Sequence, residues 1–192
     1  DTLANRDTIQ KPQTTSEHMK EWGAIAGING SFFLASDQAG QQNVIGPMVQ
    51  GQNLKTADAN FNLAKDNMAT FGIDNTDVAV FGYWKTDMKV YAPNGGFISI
   101  ARYNEPFYGY TDFTVLDRKW RTTTIGTRNG YYPDMTEMII ADGVVKEIRY
   151  NMEAVDIPVN GYVVITRKEN TPLITENFKV GDPVRFEIIT AP

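Results

Sequence analysis

The apolar residues of this chain come in short runs, each ended by Gly, Asn, Asp or Pro, and that punctuation leaves little room for long helices. The clearest case is MTEMIIADGVVKEIRY, where Asp142-Gly143 separates residues 138–141 from 144–148. Asp-Gly is the dipeptide that tolerates the positive φ values of a two-residue hairpin turn. A second hairpin is expected where Pro93-Asn94-Gly95-Gly96 stands between residues 88–92 and 97–103. Further strand candidates are AIAGI at 24–28, NVIGPMVQ at 43–50, 69–74 and 78–81, and the chain closes on IPVNGYVVITR and FKVGDPVRFEII.

One helix is expected ahead of these strands, over residues 14–22. Thr14 and Glu17 have the spacing of a capping box, Met19 and Trp22 form an apolar edge, and Gly23 is a stop. The fold class is therefore α+β, a β-rich mixed or antiparallel sheet with a short N-terminal helix on one face and several hairpins. Residues 1–13 are polar and read as a flexible lead-in, and 14–192 as one β-rich domain.

Composition narrows the function classes. With 23 acidic and 18 basic residues the net charge is −5, which argues against a nucleic-acid scaffold. The 42% hydrophobic content fits a folded domain, and no apolar run reaches the roughly 20 residues of a membrane span. The chain has no cysteine, so disulfides, thiolate metal sites and a Cys nucleophile are excluded. The single histidine, His18, excludes a His-rich zinc site and reads as a helix-surface residue, because no G-x-S-x-G element accompanies it. Asp74-Asn75-Thr76-Asp77 bunches oxygen ligands but lacks the Gly and distal Glu of a calcium loop, so it reads as an Asx turn. No cofactor is called for.

Three groups of residues have a chemical reading beside a structural one. In AGINGSFF, Asn29-Gly30-Ser31 is either a turn or the end of a strand presenting the Asn29 amide to a substrate hydroxyl or phosphate. Arg118, Lys119, Trp120, Arg121 and Arg128 form a basic stretch without carboxylates, either a solvated strand or an anion site with Trp120 stacking on a sugar. A glycosidase would ordinarily need two carboxylates about 5 to 10 Å apart, and spacing does not select a pair among 23.

The succession GAIAGINGSFF, VIGPMVQGQNL, FISIARYNEPF, IIADGVVKEI, IPVNGYVV and VGDPVRFEI resembles the bacterial phosphodiester glycosidase family, over about residues 21–189. That family is related to the lysosomal uncovering enzyme, an N-acetylglucosamine-1-phosphodiester alpha-N-acetylglucosaminidase. Asn29-Gly30 with Phe32-Phe33 corresponds to the family's N-G-x-F-F element, and Ile45-Gly46-Pro47 with Gly51 to the glycine-bounded strand that follows. The family's Arg-Thr-Ala strand and terminal D-G-G-G-S element are not among these residues, so the chain corresponds to the N-terminal portion of such a domain.

The resemblance implies part of a secreted or cell-envelope hydrolase cleaving a glycosyl phosphodiester. Asn29 would be catalytic, and Gly30, Ser31, Arg121, Arg128 and Trp120 would line the substrate. The expected partners are a glycan or sugar phosphodiester and the C-terminal remainder of the same domain. The surface receiving that remainder is expected at Met135, Met138, Phe107, Tyr108 and Tyr110. The competing reading is a non-catalytic envelope module that binds glycan or a partner chain through Trp84, Tyr108, Tyr110 and Trp120.

Overall fold

The structure, a computed structural model, describes residues 13–28, 33–34, 43–50, 53–59, 70–83, 85–105, 112–127 and 132–191. Its elements are α1 (Thr15–Trp22), β1 (Phe33–Leu34), β2 (Asn43–Val44), β3 (Met48–Gln50), β4 (Asn53–Asp58), β5 (Thr70–Ile73), β6 (Ala79–Gly82) and β7 (Lys85–Tyr91). There follow β8 (Phe97–Ser99), β9 (Arg102–Tyr103), β10 (Thr114–Leu116), β11 (Met135–Ala141), β12 (Val144–Tyr150) and β13 (Gly161–Arg167). A 3-10 turn (Lys168–Asn170), α2 (Thr171–Asn177) and β14 (Arg185–Ala191) complete the described chain. The fold is α+β and dominated by strands.

The main body is a seven-stranded sheet in the order β12-β11-β13-β10-β9-β4-β3. Its pairs are antiparallel except β9 with β10, which run parallel. One face packs against the three-stranded sheet β14-β7-β8 through Met88, Val90, Ile98, Ile100, Val115, Met138, Ile140 and Val164, with Ile174 of α2 and Phe178 filling the same core. The other face carries a smaller core of Leu116, Trp120, Ile125, Tyr132, Met135, Ile139, Ile157 and Val163. Because both faces are covered, six of the seven residues of β11 are buried, and its sequence loses the apolar-polar alternation of a half-exposed strand. Met135 and Met138 are thus core residues on opposite faces rather than a receiving surface. Phe107, Tyr108 and Tyr110 lie outside the described residues.

Both expected hairpins form. At β11–β12 the pair Ala141↔Val144 closes on Asp142 (φ 52) and Gly143 (φ 72). At β7–β8 the turn is closed by Ala92 N–H to the Gly96 carbonyl at 2.8 Å. The expected strand 97–103 is instead divided: Phe97–Ser99 pairs with β7, and Arg102–Tyr103 pairs with β4 and β10. At the crossing, Ile100 N–H bonds to the Met88 carbonyl and Ala101 N–H to the Phe113 carbonyl, each at 2.8 Å, so one run of chain serves both sheets. NVIGPMVQ likewise breaks into β2 and β3 around Gly46, whose φ is 94.

The helix forms as its caps dictate. Thr14 N–H donates to Glu17 Oε2 at 2.7 Å, Glu17 N–H donates to Thr14 Oγ1 at 3.2 Å, and Gly23 ends the helix in the left-handed region at φ 63. It was expected to pack on a sheet, yet no residue of α1 is buried. The segment 24–28, expected as a strand, has no strand pairing and leaves Ile25 and Ile28 exposed. An extended segment becomes a strand only when a neighbour takes up its backbone hydrogen bonds.

Candidate functional site

The polar cluster nearest the middle of the seven-stranded sheet is built where the parallel strands β9 and β10 end. Asn104 follows β9 at φ 54, a conformation that asparagine tolerates better than most residues. Its Nδ2 donates to the Lys55 carbonyl at 3.0 Å and to Asp117 Oδ1 at 2.8 Å, and its Oδ1 accepts from Asp117 N–H at 2.9 Å. One side chain thereby ties β4 and the ends of β9 and β10 together. Asp117 also accepts from Tyr103 Oη at 2.6 Å, and Lys119 Nζ donates to Tyr103 Oη at 2.9 Å and to the Leu54 carbonyl at 3.2 Å. Burial, and then the Asp117 carboxylate, raise the Tyr103 phenol well above its ordinary value, so it stays protonated.

Asn104 also sets the direction in which the next residue leaves the sheet. Glu105 is only 5% exposed. Its Oε1 accepts from Gly46 N–H at 3.0 Å, and the Gly46 carbonyl accepts from Thr56 Oγ1 at 2.8 Å. Its Oε2 has no hydrogen-bond partner among the described residues. Alongside runs an ion-pair chain in which Arg102 Nη1 lies 3.1 Å from Asp112 Oδ2 and Arg102 Nε 3.6 Å from Asp58 Oδ2. Burial pushes the Glu105 carboxyl up to about 8, and the Asp58 carboxylate adds to that rise; the Gly46 N–H and Arg102 pull the other way. Glu105 is therefore a neutral carboxylic acid at pH 7, held beside ion-paired carboxylates. Such a pairing can give a proton at one group while the others stay charged.

A second buried acid lies farther along the sheet. Glu137 on β11 faces Arg149 on β12, with Oε2 and Nε 3.1 Å apart, and Arg149 Nη2 donates to the Glu153 carbonyl. Burial raises the Glu137 carboxyl, against the pull of Thr124 and Arg149. This pair is consumed in holding residues 122–127 and 153–157 to the sheet, where Thr123 and Gly126 bridge to Asp156 and Glu153.

Of the site residues expected from sequence, Asn29, Gly30, Ser31 and Arg128 lie outside the described residues. Trp120 is corrected: it is 0% exposed, folded under the sheet by a turn in which its N–H bonds the Asp117 carbonyl at 3.0 Å. Its ring fills the smaller core, where burying a large aromatic surface outweighs any exposed use of the indole face. Arg121 is exposed, with its guanidinium 5.7 Å from the Trp120 ring centroid. Arg118 Nε donates to the Ile157 carbonyl and Lys119 Nζ to the Leu54 carbonyl, and with Trp120 buried between Lys119 and Arg121 the stretch 118–121 is not one open anion site. Trp84, Tyr108 and Tyr110, offered for glycan stacking, are outside the described residues. The Asp74 carboxylate is spent in an Asx turn, accepting from Thr76 N–H, Thr76 Oγ1 and Val78 N–H at 2.7 to 3.0 Å.

Sequence reasoning missed Glu105. The only local signal was its place after a strand and before Pro106, which restrains the preceding residue to extended backbone. Among the described residues no group of His, Asp and Glu is arranged to hold a metal ion.

No family model and no characterised protein matches the sequence. Solved structures do match. A hypothetical protein from Synechocystis superposes with a TM-score of 0.79 at 15% identity, over 99% of this chain and 33% of that one. A protein from Burkholderia pseudomallei K96243 inferred to be exported superposes with a TM-score of 0.72 at 16% identity, over 93% of this chain and 40% of that one. Likeness at such identity shows the fold alone. The chain spans about a third and two fifths of the lengths of these neighbours. No described helix is long and apolar enough to cross a membrane.

Proposed function

We propose that this chain is part of a secreted or cell-envelope hydrolase that cleaves a glycosyl phosphodiester, with Glu105 as its proton donor. The observation that carries the proposal is the 3.0 Å bond from Gly46 N–H to Glu105. It joins two separate segments of the phosphodiester glycosidase resemblance, VIGPMVQ and FISIARYNEPF, on one buried carboxyl. A neutral acid suits this substrate, because an ionised carboxylate would repel the phosphodiester it has to approach. In the reaction the bond from the sugar C1 to the bridging oxygen breaks, Glu105 delivers its proton to that oxygen, water adds to C1 as hydroxide and releases its other proton to solvent, and the Glu105 carboxylate takes a proton back from solvent. The products are the free sugar and a phosphate monoester. Asn29 and Arg121 remain candidates for holding the substrate, and the remainder of a longer domain would complete the site. The match to a protein inferred to be exported supports the envelope location.

The test uses the encoded full-length polypeptide and a synthetic N-acetylglucosamine 1-(methyl phosphate), with free sugar as the readout. Glu105→Gln, which keeps size and the acceptor for Gly46 N–H, is expected to lower kcat by about 100- to 10,000-fold without changing the circular dichroism spectrum. Undiminished turnover in that variant, or no sugar released by the wild-type protein, overturns the proposal.

A further inference from the structure

Gly46 lies between β2 and β3 rather than in either strand, and it is buried. Its two backbone polar groups go to side chains from two other parts of the chain. The N–H donates to Glu105 Oε1 at 3.0 Å, and the carbonyl accepts from Thr56 Oγ1 at 2.8 Å. These groups belong to the peptide planes on either side of the Gly46 Cα, which turn against each other through φ and ψ. At φ 94 there is no Cβ to restrict that turning. One grip would leave the other plane loose, and two hold both. Thr56 is 0% exposed, on β4 opposite Met48. Valine has nearly the same shape and suits a buried strand position equally, so packing does not call for the hydroxyl. Burying a hydroxyl costs free energy unless it is bonded, and the bond that Thr56 makes is to Gly46.

At the other end of this chain of bonds the two oxygens of Glu105 are unlike. Oε1 accepts the Gly46 N–H, so in the neutral acid the proton sits on Oε2, which has no partner among the described residues. We infer that Thr56 is a positioning residue for Glu105: through Gly46 it holds Oε1 in place and leaves Oε2 as the oxygen that delivers the proton. The delivery rests on the hydrolase reading proposed above, whereas the bonds from Thr56 through Gly46 to Glu105 do not. Burial opposes ionisation of Glu105 most, and the Asp58 carboxylate adds to it. The Gly46 N–H and Arg102, itself paired with Asp112, favour the charged form. Loosening the Gly46 peptide therefore weakens one of the groups that hold the carboxylate, and Glu105 then ionises at a higher pH.

The test follows the carbon-13 chemical shift of the Glu105 carboxyl against pH in the full chain, with the signal assigned by its absence from Glu105→Gln. Thr56→Val, which keeps the shape and removes the hydroxyl, is expected to move the midpoint upward by about 0.5 to 1 pH unit. Thr56→Ser, which keeps the hydroxyl, is expected to titrate as the wild type does. A midpoint that stays or falls in folded Thr56→Val overturns the inference, because a threonine serving only packing would not raise it. An equal rise in Thr56→Ser overturns it as well. If Thr56→Val does not fold, Thr56→Ala is read in the same way, and failure of both to fold makes Thr56 a structural residue and overturns the inference. On N-acetylglucosamine 1-(methyl phosphate), the alkaline limb of kcat is expected to move with the midpoint. A raised midpoint in a protein that releases no sugar overturns the hydrolase reading and supports the role of Thr56 in holding Glu105. Turnover that depends on Glu105, with an unmoved midpoint in Thr56→Val, does the reverse.

Discussion

Glu105 binds its proton more tightly in the folded chain than in the unfolded one, and that difference is a statement about stability. The carboxyl moves from 4.5 to about 8 on folding. Between those values the native state holds more protons than the unfolded state, so the unfolding free energy falls as pH rises through this window and levels off above it. The full effect is on the order of a few kcal/mol. Burial of Glu137 acts in the same direction, so wild-type stability falls with pH for two reasons. Subtraction separates them. Glu105→Gln carries no titrating proton at this position, and its advantage over the wild type is expected to be small at pH 5 and to grow to a few kcal/mol by pH 9. Urea denaturation of both proteins across that range measures the gap. A gap that does not widen would mean that the Glu105 carboxyl ionises at an ordinary pH, and would remove it as a proton donor at neutrality.

At the scale of elements, the clearest contrast is between a helix with complete caps and no buried residue and strands with modest signals and full burial. α1 satisfies its first turn through Thr14 and Glu17 and ends on Gly23. None of its residues is fully buried, and its first turn rests on those local bonds. Thr14→Ala is expected to cost the helix about 1 kcal/mol and speed amide exchange over Thr15–Trp22, while the global melting temperature stays unchanged. A drop of several degrees in that temperature would show α1 to be tied to the core.

The same contrast explains what the sequence made legible. Asp142-Gly143, the Asp74 turn and the Thr14 capping box were readable because a few adjacent residues decide each of them. The division of residues 97–103 between two sheets was not, since Ile100 and Ala101 look like mid-strand residues until Met88 and Phe113 take up their N–H groups. Trp120 looked like a stacking platform because its burial depends on Ile157 and Val163, far along the chain. Glu105 was hidden among 23 acidic residues, and its partner Gly46 lies 59 positions away.

For the whole molecule, the decisive feature is that one short run of chain joins the two sheets. β8 belongs to the three-stranded sheet and β9 to the seven-stranded one, with only Ile100 and Ala101 between them. Ile100 is 1% exposed and packs in the core the sheets share, together with Met88 and Val90 from one sheet and Val115 and Met138 from the other. If that core is what unites them, neither sheet keeps its protection once the other has opened, and unfolding is a single transition. Ile100→Ala removes buried methyl groups at the junction and is expected to cost about 2–5 kcal/mol. Amides of β7, in the smaller sheet, and of β11 and β13, in the larger, should lose protection together and by the same amount. Native-state exchange at increasing urea measures this directly. Were β7 to open while β11 and β13 kept their wild-type protection, the three-stranded sheet would be a separately folding layer. The Glu105 cluster, built on β4, β9 and β10, would then owe its rigidity to the seven-stranded sheet alone.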